Sequence, residues 1–146
     1  MGWEEAACTA RRLPCAWFIS VLIVFFVGDV ETPPIGSGDV LLICSGSGKS
    51  QMLISHAKKA AENGAKVVLI SCSRSTPLGE LADWQVILSA LQKDVEGEQR
   101  EQKSILPMGS QFELASALFF ENLVLEMMQE KHETNETMFR RHANLE

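Results

Sequence analysis

No basic stripe runs through this 146-residue chain: Lys and Arg total 13 against 19 Asp and Glu, for a formal net charge of −6 and a pI near 5.1. Binding nucleic acid requires clustered cations that displace counterions from phosphates, so this composition argues against a nucleic-acid partner. An anionic substrate would have to be held by local donors and not by the field of the whole molecule. The four cysteines, Cys8, Cys15, Cys44 and Cys72, show no C-x-x-C spacing and no pairing with histidine. Neither zinc nor a disulfide framework is indicated. Cys44 and Cys72 end predicted buried strands, and reduced thiols there suit a cytoplasmic setting. A long membrane run is also missing. Leu13 to Val27, entered through Arg11 and Arg12, looks like a signal peptide or anchor but falls short of the roughly 20 apolar residues a span needs. No membrane partner is expected, and the length supports a single domain.

What the chain does have is concentrated in Gly38–Gly64. Val40, Leu41, Leu42 and Ile43 form a continuous apolar run, the pattern of a strand buried on both faces. Ser45, Gly46, Ser47, Gly48, Lys49 and Ser50 follow as a turn of small residues. Met52, Leu53, Ile54, Ala57, Ala60 and Ala61 then predict a helix with one apolar side, stopped at Gly64. A strand that passes through such a turn into a helix start is a natural anion site. Free backbone N–H groups and the positive end of the helix dipole converge there, and three serine hydroxyls can add to them. Gly48-Lys49-Ser50 also looks like the end of a nucleotide P-loop. That motif needs a glycine five residues earlier, where this chain has Ile43, so a sugar-phosphate site is favoured over a nucleotide site.

Further along, Lys66 to Ser71 predicts a second buried strand. Strand, helix and strand in succession point to a parallel sheet. The loop Ser73–Thr76 then shares a sheet edge with the serine-rich turn, and Ser71, Ser73 and Ser75 are possible supporting donors. Pro77 to Ala82 suits a short helix, Trp84 to Leu88 a last strand, and Leu91 to Ser104 a charged loop that could act as a lid. A long helix is expected from Gln111 to Lys131, burying Phe112, Ala115, Leu118, Phe119, Val124, Leu125 and Met128 against the sheet and another subunit. Ser110-x-x-Glu113 reads locally as a capping box. Val24 to Gly28 reads as a strand and Glu31 to Ile35 as a loop; the tail from Glu136 is a polar end that could fray.

Ser45-Gly46-Ser47-Gly48-Lys49-Ser50 resembles the phosphate loop of the sugar isomerase (SIS) domain. Pro107-Met108-Gly109-Ser110-Gln111-Phe112-Glu113 and the ending Arg141-His142-Ala143-Asn144-Leu145 narrow the resemblance to the 6-phospho-3-hexuloisomerases. Lys49 stands where that family often has Glu or Arg, and Ser50 where Thr is usual. The resemblance implies an α/β fold: a three-layer, Rossmann-like parallel sheet with helices on both faces. It also implies interconversion of 3-hexulose 6-phosphate and fructose 6-phosphate through an enediolate, with no metal or organic cofactor. On that basis Ser45, Gly46, Ser47, Gly48, Lys49 and Ser50 would hold the phosphate and Glu113 would be the catalytic base. His142 would join a neighbouring subunit's site as a proton carrier. The partners implied are a small-molecule sugar phosphate and further copies of the chain, as a tetramer. A SIS-type sugar-phosphate sensor without catalysis is the alternative.

The family's first strand, glycine loop and helix are not seen ahead of this part, so the domain is expected to be N-terminally truncated. Residues 1–23 are read as an anomalous segment and 24–146 as a partial SIS domain. Shifted by one base, the codons of Met1 to Val21 permit Gly-Val-Gly-Arg-Ser-Gly-Leu-Tyr-Gly-Lys-Ala-Phe-Ala-Met-Arg-Leu-Val-His-Leu-Gly-Phe, the family's missing motif. An out-of-frame translation of this stretch is therefore expected.

Overall fold

The computed structural model describes residues 23–90, 106 and 110–142. Two compact units emerge, Pro34–Ser116 and a second that takes in residues 23–33 and 117–142. The expected frame change at the start of the chain and the charged segment 91–104 lie outside the described residues.

In the first unit, β1 (Val40–Cys44), β2 (Lys66–Ser71) and β3 (Trp84–Ile87) form a parallel sheet in the order β1-β2-β3. Leu42 lies opposite Val68 and Ile70 opposite Val86. Side chains alternate across a strand, so Ile43, Val67 and Leu69 share one face and Cys44, Val68 and Ile70 the other. Helix α1 (Gln51–Glu62) covers the first face. Ile54, Ala57 and Ala60 pack with Ile43, Ala65, Val67, Leu69 and Leu78 in one buried cluster. The two alanines, one turn apart, let the helix axis come close to the sheet. Burying a side chain the size of Val67, Leu69 or Ile70 contributes about 1.5–3 kcal/mol each. At the far end of α1, Gly64 adopts a left-handed φ of 81°. Its N–H bonds Ala61 O at 3.0 Å while Ala65 N–H reaches back to Ala60 O at 3.0 Å. This double closure satisfies the last carbonyls and explains why the helix stops where glycine occurs.

Helix α2 (Ser110–Glu130) begins in this unit and meets the opposite sheet face, where the Cys44 thiol donates to Ser116 Oγ at 3.6 Å. A parallel sheet between α1 and the start of α2 is the three-layer arrangement expected.

Several local expectations are corrected. β1 is less buried than its apolar run suggested: Val40 is 58% exposed, Cys44 is exposed, and only Ile43 is fully buried. It has a strand neighbour on one side only among the described residues, whereas β2 lies between two strands and buries Val67, Leu69, Ile70 and Ser71. Pro77 to Ala82 is a run of turns and not a helix. Thr76 Oγ1 accepts the Gly79 N–H at 3.0 Å, and a methyl on Gly79 would meet Arg74 O at 2.4 Å, so the chain folds tightly back instead of winding on. Val24 to Gly28 is not a strand, because no ladder partner stands beside it among the described residues. Its apolar, β-branched content records a tendency to pair, not a pairing. Glu31 to Ile35 is a loop as expected, and the Thr32 hydroxyl donates to Phe26 O.

Along α2 the buried positions are Ser116, Phe120 and Val124, while Leu118 and Leu125, expected to be covered by the sheet or by another subunit, are exposed on the single chain. In the second unit a short helix α3 (Asn135–Phe139), capped reciprocally by Thr134 and Thr137, occupies the start of the tail expected to fray, whose residues 143–146 lie outside the described residues. Glu133 accepts from the Thr137 hydroxyl and pairs with Arg141 at 2.6 Å, and both contacts hold its carboxyl below the usual carboxylate range.

One ion pair closes the sheet's lower end. Lys66 Nζ donates to Asp83 Oδ1 at 2.6 Å and the Val67 N–H to Asp83 Oδ2 at 2.9 Å. The lysine bond first, and the amide second, lower the Asp83 pKa. A depressed carboxylate stabilises the fold above its unfolded pKa, about 3.9, and that contribution is lost as pH falls through the folded value. Asp83→Asn is therefore expected to lower the urea midpoint near neutral pH and to have little effect at strongly acid pH. An equal loss at both ends would show that charge is not what matters there.

Candidate functional site

The C-terminal ends of β1 and β2 lie on one sheet edge, and the two loops leaving them are bonded together. Ser45 N–H extends the ladder to Ile70 O at 2.9 Å. Gly46 O accepts twice, from Cys72 N–H at 3.2 Å and from Ser71 Oγ at 3.1 Å. Gly48 O accepts the Leu78 N–H at 3.2 Å, and Gly48 N–H donates to Ser45 Oγ at 3.2 Å. Ser71 is fully buried, so its hydroxyl serves the loop from beneath and not a ligand. Ser73 N–H donates to that same hydroxyl at 3.4 Å, and Ser75 is exposed. Gly48 has φ +63°, and a methyl there would lie 2.4 Å from Thr76 Oγ1. The backbone thus passes over Thr76 at a distance only glycine permits.

This bracing turns two loop carbonyls toward the β2 side and leaves donors on the other. The N–H groups of Ser47, Lys49 and Ser50 have no acceptor among the described residues. Ser50 is the N-cap of α1, yet its hydroxyl makes no capping bond, and no acidic residue occupies the first turn. An N-terminus whose cap and charge are both left open retains its positive potential and its unpaired amides. Ser45, Ser47 and Ser50 are half-buried, Gly48 buried and Lys49 exposed. Unpaired amides and uncommitted hydroxyls therefore gather at one helix start.

The start of α2 comes to the same place. A methyl on Gly46 would meet the Phe112 ring at 3.2 Å. One turn on, Ser116 Oγ donates to Phe112 O at 2.7 Å and accepts from Cys44. Crowding by surrounding atoms pushes the Cys44 thiol up, partly offset by Ser116, and Cys72 is pushed up the same way. Both thiols stay protonated near neutral pH. Glu113, next to Phe112, is half-buried. Ser110 lies inside the helix, not ahead of it, so the capping-box geometry expected for Ser110 and Glu113 does not form. His142 belongs to the second unit, exposed and stacked on Phe139 with centroids 6.4 Å apart.

Sequence reasoning missed Thr76, Phe112 and Ser116 as site-forming residues. Ser116 carried a legible signal: a lone hydroxyl one turn after Phe112 on an apolar helix face. Thr76 lay on the expected sheet edge, but its close approach to Gly48 depends on a loop that folds back. Among the described residues no cluster of His, Cys, Asp or Glu is arranged to hold a metal, and no helix is long and apolar enough to cross a membrane.

The chain is 38% identical over 120 residues to the 3-hexulose-6-phosphate isomerase of Bacillus subtilis, covering 82% of this chain and 64% of the relative. It is 37% identical over 123 residues to the protein of that name from Methylomonas aminofaciens, covering 84% and 66%. The chain thus spans about two thirds of the length of these relatives. One solved structure, of a hypothetical protein, matches with a TM-score of 0.85 at 31% identity, covering 99% of this chain and 76% of that one. A second, from Methanococcus jannaschii and inferred to be a 3-hexulose-6-phosphate isomerase, matches with a TM-score of 0.81 at 25% identity, covering 97% and 74%. The SIS domain pattern extends over residues 17–121, including the whole serine-rich loop and the start of α2, and the chain belongs to the SIS domain family.

Proposed function

We propose that this chain is a sugar-phosphate isomerase domain that interconverts 3-hexulose 6-phosphate and fructose 6-phosphate. The observation that carries the reading is the meeting of α2 with the phosphate loop: Phe112 bears on Gly46, so Glu113 starts beside the cradle. The names of the relatives give the substrate class. The loop Ser45, Gly46, Ser47, Gly48, Lys49 and Ser50 holds the 6-phosphate through backbone N–H groups, hydroxyls and the exposed ammonium of Lys49. Anchoring that end fixes the reacting carbons near Glu113. The Glu113 carboxylate removes the proton from C2 of the hexulose, giving a 2,3-enediolate, and returns a proton to C3. The O2 proton moves to O3, which shifts the carbonyl from C3 to C2 with no change in oxidation level or composition. His142 of a neighbouring copy carries this oxygen-to-oxygen proton. No metal or organic cofactor enters these steps.

We assign a homo-oligomer, a tetramer as the family resemblance implies. Leu114, Leu118 and Leu125 are exposed by 56%, 59% and 56% at spacings that bring them onto one side of α2, which supports a covered helix face. A cytoplasmic setting accords with the free thiols of Cys44 and Cys72.

The test is conversion of 3-hexulose 6-phosphate to fructose 6-phosphate by the full chain. Turnover is expected. Saturable binding of both sugar phosphates with no turnover would make the protein a non-catalytic sugar-phosphate module, and absence of binding would overturn the site itself.

A further inference from the structure

We propose that Phe112 is a positioning residue: through its contact with Gly46, the phosphate loop sets the angle of the first turn of α2 and so aims Glu113. This rests on the isomerase reading above. Phe112 and Ser116 lie one helical turn apart and therefore on one face. That face touches the exit of β1 at two successive points, Gly46 through the Phe112 ring and Cys44 through Ser116 Oγ at 3.6 Å. Two points along the axis fix both the slide and the rotation of the helix. Glu113 is one residue from Phe112, about 100° around the helix, so its direction follows from that rotation.

The loop side of the contact cannot yield easily. Gly46 O is held by the Cys72 N–H at 3.2 Å and the Ser71 hydroxyl at 3.1 Å. Cys72 Sγ lies 3.7 Å from the position a methyl on Gly46 would take. A change in ring volume is therefore passed to α2 and not absorbed in the loop. Misplacing a catalytic group by about 1 Å can cost on the order of 100-fold in rate. Glycine at 46 is explained in the same terms: a methyl would press on the ring at 3.2 Å, tight enough to shift it by a few tenths of an ångström.

The experiment uses the full chain with Phe112→Leu, Phe112→Ala, Gly46→Ala and the double variant Gly46→Ala/Phe112→Leu. It reads kcat and KM for 3-hexulose 6-phosphate, with a thermal melt of each protein. Phe112→Ala is expected to lower kcat about 10–100-fold with KM within about threefold of wild type. Gly46→Ala lowers kcat as well, and Phe112→Leu in that background recovers part of the loss, so the two sites couple non-additively. A residue that only packs would move the melt and leave kcat in place. Unchanged kcat in folded Phe112 variants, a loss confined to KM, or strict additivity of the pair overturns the proposal while the isomerase reading stands. Where Phe112→Ala does not fold, the cycle of Gly46→Ala with Phe112→Leu decides alone. An inactive wild type overturns the isomerase reading and this assignment with it, and is told apart because no variant is needed to see it.

Discussion

Glu113→Gln is expected to lower turnover of 3-hexulose 6-phosphate by about 10²–10⁴-fold, the usual contribution of a positioned general base. The substitution keeps the shape of the side chain and removes its basicity. Glu113 is half-buried in the first turns of α2, so an amide of equal volume leaves Phe112 on Gly46 and Ser116 on Cys44. The phosphate cradle is built from other residues. Affinity for fructose 6-phosphate should therefore stay within a few-fold of wild type, with the loss in kcat. Isothermal titration beside steady-state kinetics separates the two quantities. Undiminished turnover would remove Glu113 from the chemistry and leave the cradle intact.

Gly48→Ala is expected to damage stability and phosphate binding together. Two costs add at this position. An L-residue at φ +63° carries about 1–2 kcal/mol of left-handed strain. The new methyl would also lie 2.4 Å from Thr76 Oγ1 and 2.6 Å from Thr76 Cβ. Thr76 is buried and its hydroxyl is bonded by the Gly79 N–H, so it has no room to retreat. Overpacking of this kind costs about 1–3 kcal/mol more. The sum lowers the melting temperature by roughly 5–15 °C in a domain of this size. The hydrogen bonds through Gly48, to Ser45 Oγ and from Leu78, shape the loop that cradles the anion, so sugar-phosphate affinity should fall at least tenfold even in molecules that remain folded. Gly36→Ala is the control, since a methyl there meets nothing within 4 Å. Equal behaviour of the two variants would mean that the approach of Thr76 to the loop is not part of the site.

The unit running from β1 through the serine-rich turn to Gly64 was legible because its determinants are local. A β-branched and leucine run, small residues at a turn, alanines at helical spacing and a terminal glycine each act on their own neighbours. Ile43 in the strand, at the position a nucleotide P-loop needs glycine, likewise settles the loop's length without reference to the rest of the chain. α2 was bounded to within a residue at each end for the same reason. Its buried face was only partly legible. Leu118 and Phe120 are both apolar and two residues apart, and nothing local says that Phe120 turns inward at 4% exposure while Leu118 stays at 59%.

The chain's amino-acid order alone determined where a strand runs through a serine-rich turn into a helix start, because those elements follow from local backbone geometry and composition. Tertiary structure decided which groups brace that turn and what stands next to it. Ser71 and Thr76 support the loop only because the chain after β2 folds back beneath it. Phe112 and Ser116 reach β1 across more than sixty residues of sequence, as the separation of Cys44 and Ser116 by 72 positions shows. Contacts of that range depend on how the sheet and α2 pack, and no pattern of neighbours along the chain encodes them.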